Sequence, residues 1–255
     1  VKKTPWIIRD FFSPDNAIRL FCFSYAGGGA SVFRQWQATF PEQIEVCPVQ
    51  LPGRENRISE PLITDFDELV DVASVELAPY LDSPFAFYGH SIGARIAFEL
   101  ARNVRRKLGV RPCCLIVSGS RAPHIPEPIP LHLLPDNEFM NELRRFSGTP
   151  EAVLKSKELM EMFLPILRAD FAVDETYVYS EDLPLDCPIF VFGGTEDLEA
   201  KIEELNAWSD HTSEAFSLEM ISGGHFFIQT ERNLLIRSIR EILFRFLSSH
   251  CAVDT

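Results

Sequence analysis

The sequence predicts an α/β fold with a mostly parallel central sheet flanked by helices, and three observations carry that prediction. Short apolar runs closed by turn-forming or polar residues recur along the chain, as strands buried on both faces of a parallel sheet require. Stretches with apolar residues at helical spacing separate them, and that alternation is the mark of α/β architecture. One apolar run leads through a glycine-framed serine directly into a helical stretch.

The clearest strand candidates are residues 18–24, 85–88, 113–118 and 188–192, with weaker ones at 45–50 and 217–221. A helix is expected over 65–80, where Phe66, Leu69, Val70, Ala73 and Leu77 share one face and Asp65 or Thr64 caps the start. After Gly93, the small residues Ala94, Ala97 and Ala101 let a second helix lie close to the sheet. Residues 123–184 break the alternation. A proline-rich entry (Pro123, Pro126, Pro128, Pro130, Pro135) precedes a helix over 136–146 with Asp136 as N-cap. A further helical stretch follows over 159–171, which Pro165 should kink or end. The segment reads as a helical lid inserted in a single 255-residue domain. An amphipathic helix over 231–247 closes the chain.

Composition narrows the function. With 46% hydrophobic and 24% charged residues the chain is an ordinary globular protein. A net charge of −13 argues against a nucleic-acid partner, which needs a basic face. No run approaches the ~18 apolar residues of a membrane span, and the stretch 1–10 is too short for a signal-peptide core. A cytoplasmic monomer with no membrane contact is expected. Cys22, Cys47, Cys113, Cys114 and Cys187 read as buried reduced thiols, with Cys251 in the tail. No Cys/His cluster has metal-ligand spacing, so no metal is expected.

In Phe85-Ala86-Phe87-Tyr88-Gly89-His90-Ser91-Ile92-Gly93, strand, GxSxG and helix follow one another. That context makes Ser91 the expected nucleophile of an α/β-hydrolase elbow. A serine hydroxyl needs a histidine to take its proton. His225, in Ser222-Gly223-Gly224-His225 between a strand and the last helix, is the expected base, while His90 is assigned to packing. Asp197 follows the strand Ile189-Phe190-Val191-Phe192 and a glycine turn, and is the expected orienting acid. Glu196 is the runner-up, and Asp186 is weaker because it precedes the strand. The oxyanion requires two backbone N–H groups. Ile92 supplies one, and the glycine-rich loop after the first strand supplies the other from Ala26, or from Tyr25 or Gly27 if the loop is shifted by one residue. That loop lacks the lysine of a nucleotide-binding loop.

These residues together resemble the type II thioesterases that accompany nonribosomal peptide and polyketide synthetases, and the related medium-chain thioesterase of fatty-acid synthesis. The similarity rests on Phe21-Cys22-Phe23-Ser24-Tyr25-Ala26-Gly27-Gly28, Leu51-Pro52-Gly53-Arg54-Glu55, the serine elbow, Leu167-Arg168-Ala169-Asp170-Phe171, Gly193-Gly194 with Asp197, and Gly223-Gly224-His225. Ser24 stands where the family often has proline. The resemblance implies hydrolysis of acyl groups from the phosphopantetheine arm of acyl or peptidyl carrier proteins, met transiently, or of small acyl thioesters, with no cofactor of the enzyme's own. Arg102, Arg105, Arg106 and Lys107, or Arg144 and Arg145, are candidate docks for an acidic carrier, with a solvated face as the competing reading. Arg54 and Arg168 are candidates for buried ion pairs. An esterase or acyltransferase, or a silent carrier-binding protein on the same fold, remain as alternatives.

Overall fold

The computed structural model describes residues 4–8, 18–126, 130–146, 148 and 155–250. Six strands form one sheet: β1 (Ile18–Phe23), β2 (Ile44–Pro48), β3 (Phe85–His90), β4 (Leu115–Ser118), β5 (Ile189–Gly194) and β6 (Phe216–Ile221). They lie in the order β2-β1-β3-β4-β5-β6, and every pairing between them is parallel. All six expected strands are present. β4 starts two residues later than the apolar run suggests, because Cys113 and Cys114 belong to the approach to the strand.

Alternation along the strands sends side chains into two cores. Phe21, Phe23, Phe85 and Phe87 pack on one face against α1 (Phe66–Leu77) and α2 (Ile92–Leu108). Leu20, Cys22, Ala86 and Tyr88 pack on the other, against Phe33, Trp36 and the C-terminal helix Arg232–His250 through Leu235, Ile239 and Leu243. Asp65 caps α1 by accepting the Glu68 N–H at 2.8 Å, which satisfies one of the amides a helix start leaves over.

Between β4 and β5 run α3 (Asp136–Phe146) and α4 (Lys157–Glu175). Leu131, Phe139, Leu143 and Leu167 form a small apolar cluster of their own there. Helix α4 continues past Pro165, so of the two expectations for the proline, a kink or an end, the end does not occur. A mid-helix proline costs about 3 kcal/mol, and burial of Ile166, Leu167, Ala169 and Val173 immediately after it offsets that cost. Polar bonds tie the end of α4 to its surroundings: Arg95 of α2 pairs with Asp174 at 2.8 Å, and Glu175 accepts the Leu131 and His132 N–H groups at 2.7 and 2.8 Å. The chain then passes through α5 (Ile202–Asn206) and α6 (Phe227–Thr230) to α7 (Arg232–His250). Pro128, the side chain of Arg145 and Cys251 lie outside the described residues.

After β1 the chain goes to β2 on one side, and β3 returns to the other side of β1. In open parallel sheets the crevice at the carboxyl ends of such a strand pair is where ligands bind. The loops after β1, β3, β5 and β6 carry the expected site residues to that same edge.

Away from that edge, His211 is buried among Phe98, Trp208 and Tyr179, with its Nε2 2.7 Å from His124 Nδ1. Burial, with His124 adding to it, pulls the His211 pKa down to about 4. The unfolded chain, with a histidine pKa of about 6.5, then binds a proton that the folded chain refuses. This contribution to stability is complete above about pH 6.5 and is lost as pH falls towards about 4. In urea titrations between pH 7 and 4.5, His211→Phe should flatten the loss of stability on acidification. An unchanged pH slope would exclude His211 as its source.

Candidate active site

The elbow begins where β3 ends. Ser91 takes φ +57° and ψ −126°, a backbone region that costs a non-glycine residue of order 1–3 kcal/mol. Its neighbours leave no room for side chains: a Cβ on Gly89 would fall 2.0 Å from the Gly93 carbonyl oxygen, and one on Gly93 would fall 2.4 Å from that of Phe23. The strain is held by the Ser91 N–H donating to Ser118 O and the Ala94 N–H donating to Ser91 O, both at 2.9 Å. Ile92 is the first residue of α2, so its N–H is among the amides that a helix leaves without an intrahelical acceptor. The positive end of the helix dipole lies there too.

His225 sits in the loop after β6, and its Nδ1 is 2.9 Å from Asp197 Oδ2 in the loop after β5. Both are buried, the Asp197 side chain completely. The second Asp197 oxygen accepts the Glu199 N–H at 2.8 Å. With the carboxylate held on both sides, Nδ1 carries the hydrogen and Nε2 is left as the basic nitrogen. Glu196 is exposed and Asp186 pairs with Arg111 at 3.2 Å, so neither competes for His225.

His90 does more than pack. Its Nε2 lies 3.0 Å from the His225 carbonyl oxygen and its Nδ1 2.8 Å from Ser118 Oγ. A carbonyl only accepts, so His90 donates from Nε2. Nδ1 then accepts from Ser118, and Tyr88, 2.8 Å away, donates its O–H to Ser118. Full burial, with His225 adding to it, holds the His90 pKa well below the ordinary histidine range, so the ring stays neutral. The residue before Ser91 thus holds the backbone of His225. The sequence shows a signal only in hindsight, since a histidine between a buried strand and a buried turn needs partners for both nitrogens.

The loop after β1 forms a tight turn. The Gly28 N–H donates to Tyr25 O at 2.9 Å, and Gly27 has φ +77°, which is the third position of a type II turn and favours glycine. The Gly27 N–H donates to Asp170 Oδ2 at 2.7 Å. That bond removes Gly27 from the candidates for oxyanion donor. Asp170 in turn takes a two-point ion pair from Arg54, at 2.6 and 2.7 Å, with both side chains buried. Arg54 therefore does form a buried pair. Arg168 instead bonds the His132 and Leu134 carbonyls and Asp136 at a partly exposed site.

The basic run after α2's first turns is committed internally. Arg102 is fully buried against Glu99, Arg105 donates to the Leu183 and Pro184 carbonyls, Arg106 pairs with Asp182, and Lys107 pairs with Asp71. Arg144 donates to Asn141 at 2.6 Å. Among the described residues no group of three or more His, Cys, Asp or Glu could hold a metal ion, and no helix is long and apolar enough to cross a membrane.

Comparison with known proteins identifies the family. A family model described as "Thioesterase domain" matches residues 18–243. The chain is 47% identical to the gramicidin S biosynthesis protein GrsT of Aneurinibacillus migulanus, over 91% of each chain. It is 38% identical to thioesterase PikA5 of Streptomyces venezuelae, over 93% of this chain and 85% of that one. The solved type II thioesterase BorB from the borrelidin biosynthetic cluster superposes with a TM-score of 0.85 at 35% identity, covering 94% of this chain and 98% of that chain. These neighbours have the α/β-hydrolase fold, and this chain shares it.

Proposed function

The chain belongs to the thioesterase domain family, and from that premise we propose that it frees acyl groups from the phosphopantetheine arm of carrier proteins in nonribosomal peptide or polyketide synthesis. The observation that carries the mechanism is the buried Asp197–His225 hydrogen bond, with the His225 backbone held by His90, the residue that precedes a strained Ser91. His225 Nε2 takes the Ser91 proton as Oγ adds to the thioester carbonyl, and Asp197 stabilises the imidazolium that results. The Ile92 and Ala26 N–H groups hold the oxyanion. Collapse of the tetrahedral species expels the carrier thiol, protonated by His225, and leaves the acyl group on Ser91. His225 then activates a water that hydrolyses this ester and restores the serine.

The apolar cluster of α3 and α4 suits a lid over an acyl chain, inserted at about 123–184 in one domain. Among the described residues five cysteines are free, four of them buried, which suits the reducing cytoplasm. The enzyme acts there as a monomer that meets its carrier transiently.

The test compares acyl-loaded carrier, a free acyl thioester and an oxygen ester as substrates, with Ser91→Ala alongside. Free acid should appear fastest from the thioesters, and only with Ser91 intact. Preference for the oxygen ester would reject the substrate class.

A further inference from the structure

We infer that Arg54 and Asp170 position the oxyanion loop, so that Asp170, on a helix far along the chain, governs the rate of the chemical step. This rests on the catalytic reading above. The turn Tyr25-Ala26-Gly27-Gly28 contains two peptide units that must keep their orientation for the Ala26 N–H to serve. The first joins Tyr25 to Ala26. Its carbonyl is tied inward by the Gly28 N–H at 2.9 Å, and because the peptide is planar and trans, its N–H, that of Ala26, points the opposite way. The second joins Ala26 to Gly27, and it is the unit whose reorientation separates a type II from a type I turn.

Its N–H donates to Asp170 Oδ2 at 2.7 Å. Arg54 spans the same carboxylate with both terminal nitrogens and reaches the Gly28 carbonyl at 3.3 Å. The clamp therefore grips the turn on both sides of Gly27. Leu167, one helical turn before Asp170, adds contact: a Cβ on Gly27 would meet its Cδ2 at 2.6 Å. Asp170 and Arg54 are 3% and 4% exposed, so water does not compete for these bonds and the pair is geometrically exact in its two-point form. A buried ion pair is a poor stabiliser compared with apolar residues of the same size. Its presence at this place is accounted for by the loop it orients. Neither side chain touches the reacting atoms, so both are positioning residues.

The test uses the full chain with a free acyl thioester and with an alkyl trifluoromethyl ketone, whose tetrahedral adduct on a serine needs the oxyanion donors. Asp170→Asn keeps the side chain's shape but removes its charge. Arg54→Met combined with Asp170→Leu removes both charges together, so a folded variant remains should Asp170→Asn fail to fold. Thermal unfolding confirms the folded fraction. Expected is a fall in kcat on the order of 100-fold, with KM nearly unchanged and ketone affinity falling in parallel. A merely structural role would lower the folded fraction and leave kcat per folded enzyme intact. The inference is overturned if the folded double variant keeps wild-type kcat and ketone affinity. Activity that survives Ser91→Ala would remove the catalytic reading itself, in an experiment independent of either clamp variant.

Discussion

Ser91→Ala should lower kcat for thioester hydrolysis by about 10⁴-fold or more, and His225→Ala should do the same. The reason lies in how the two groups share one task. A neutral serine hydroxyl is a poor nucleophile, and an imidazole with no hydroxyl to deprotonate has nothing to activate at the acyl carbon. The double variant should therefore be no slower than either single one, within a few-fold, because residues that act as a unit are lost as a unit. The folded state should survive, since Ser91 gives up only an oxygen while its backbone bonds to Ser118 and Ala94 remain. Single-turnover assays with acyl-loaded carrier, followed by mass measurement of the intact protein, check both parts. The wild type should gain the mass of the acyl group in the first turnover, and Ser91→Ala should not. Losses that multiply in the double variant would mean that Ser91 and His225 act in separate steps, contrary to the mechanism.

How far the site could be read from the residues follows a physical division. Features written in local sequence were legible: β3, its glycine-framed turn and α2 are consecutive, and the close approach at Gly89 is to Gly93 and Ala94 of the same turn, although that at Gly93 is to Phe23 and Ser24 at the end of β1. Asp197 and His225 were legible for a related reason, since each directly follows a strand that ends at one edge of a parallel sheet. The clamp on the oxyanion loop was not. Arg54 and Asp170 are 116 residues apart, and no periodicity or spacing brings such a pair together. One trace of it was present, because Asp170 shares a helix face with Ile166, Leu167 and Val173, all buried. A carboxylate on an apolar stripe demands a cation from elsewhere in the fold. The partners of the basic run from Arg102 to Lys107 were equally hidden: Asp71, Asp182 and the carbonyls at 183 and 184 come from distant segments, while Arg106 and Lys107 keep half of their side-chain surface exposed. Pro165 shows the same limit, as tertiary burial keeps intact a helix that local geometry would interrupt.

Asp197→Asn carries the second large effect, and its size depends on a single hydrogen. In the native arrangement Asp197 Oδ2 accepts from His225 Nδ1 while Oδ1 accepts the Glu199 N–H. An asparagine must keep its carbonyl oxygen toward one of these donors. If it serves the Glu199 amide, its NH₂ faces His225 Nδ1, and that nitrogen can only accept. The histidine hydrogen then moves to Nε2, the position that must be empty to receive the Ser91 proton. The charge that would stabilise the imidazolium is lost as well. A fall in kcat of about 10⁴-fold is expected near neutral pH, with the fold unchanged because volume and shape are conserved. Raising the pH should restore part of the rate, as hydroxide begins to take over the base's role, whereas the wild-type rate should already have levelled off. Asp197→Asn with near-normal kcat would place the orienting carboxylate elsewhere. Glu196→Gln, at an exposed residue, should leave kcat unchanged in the same assay.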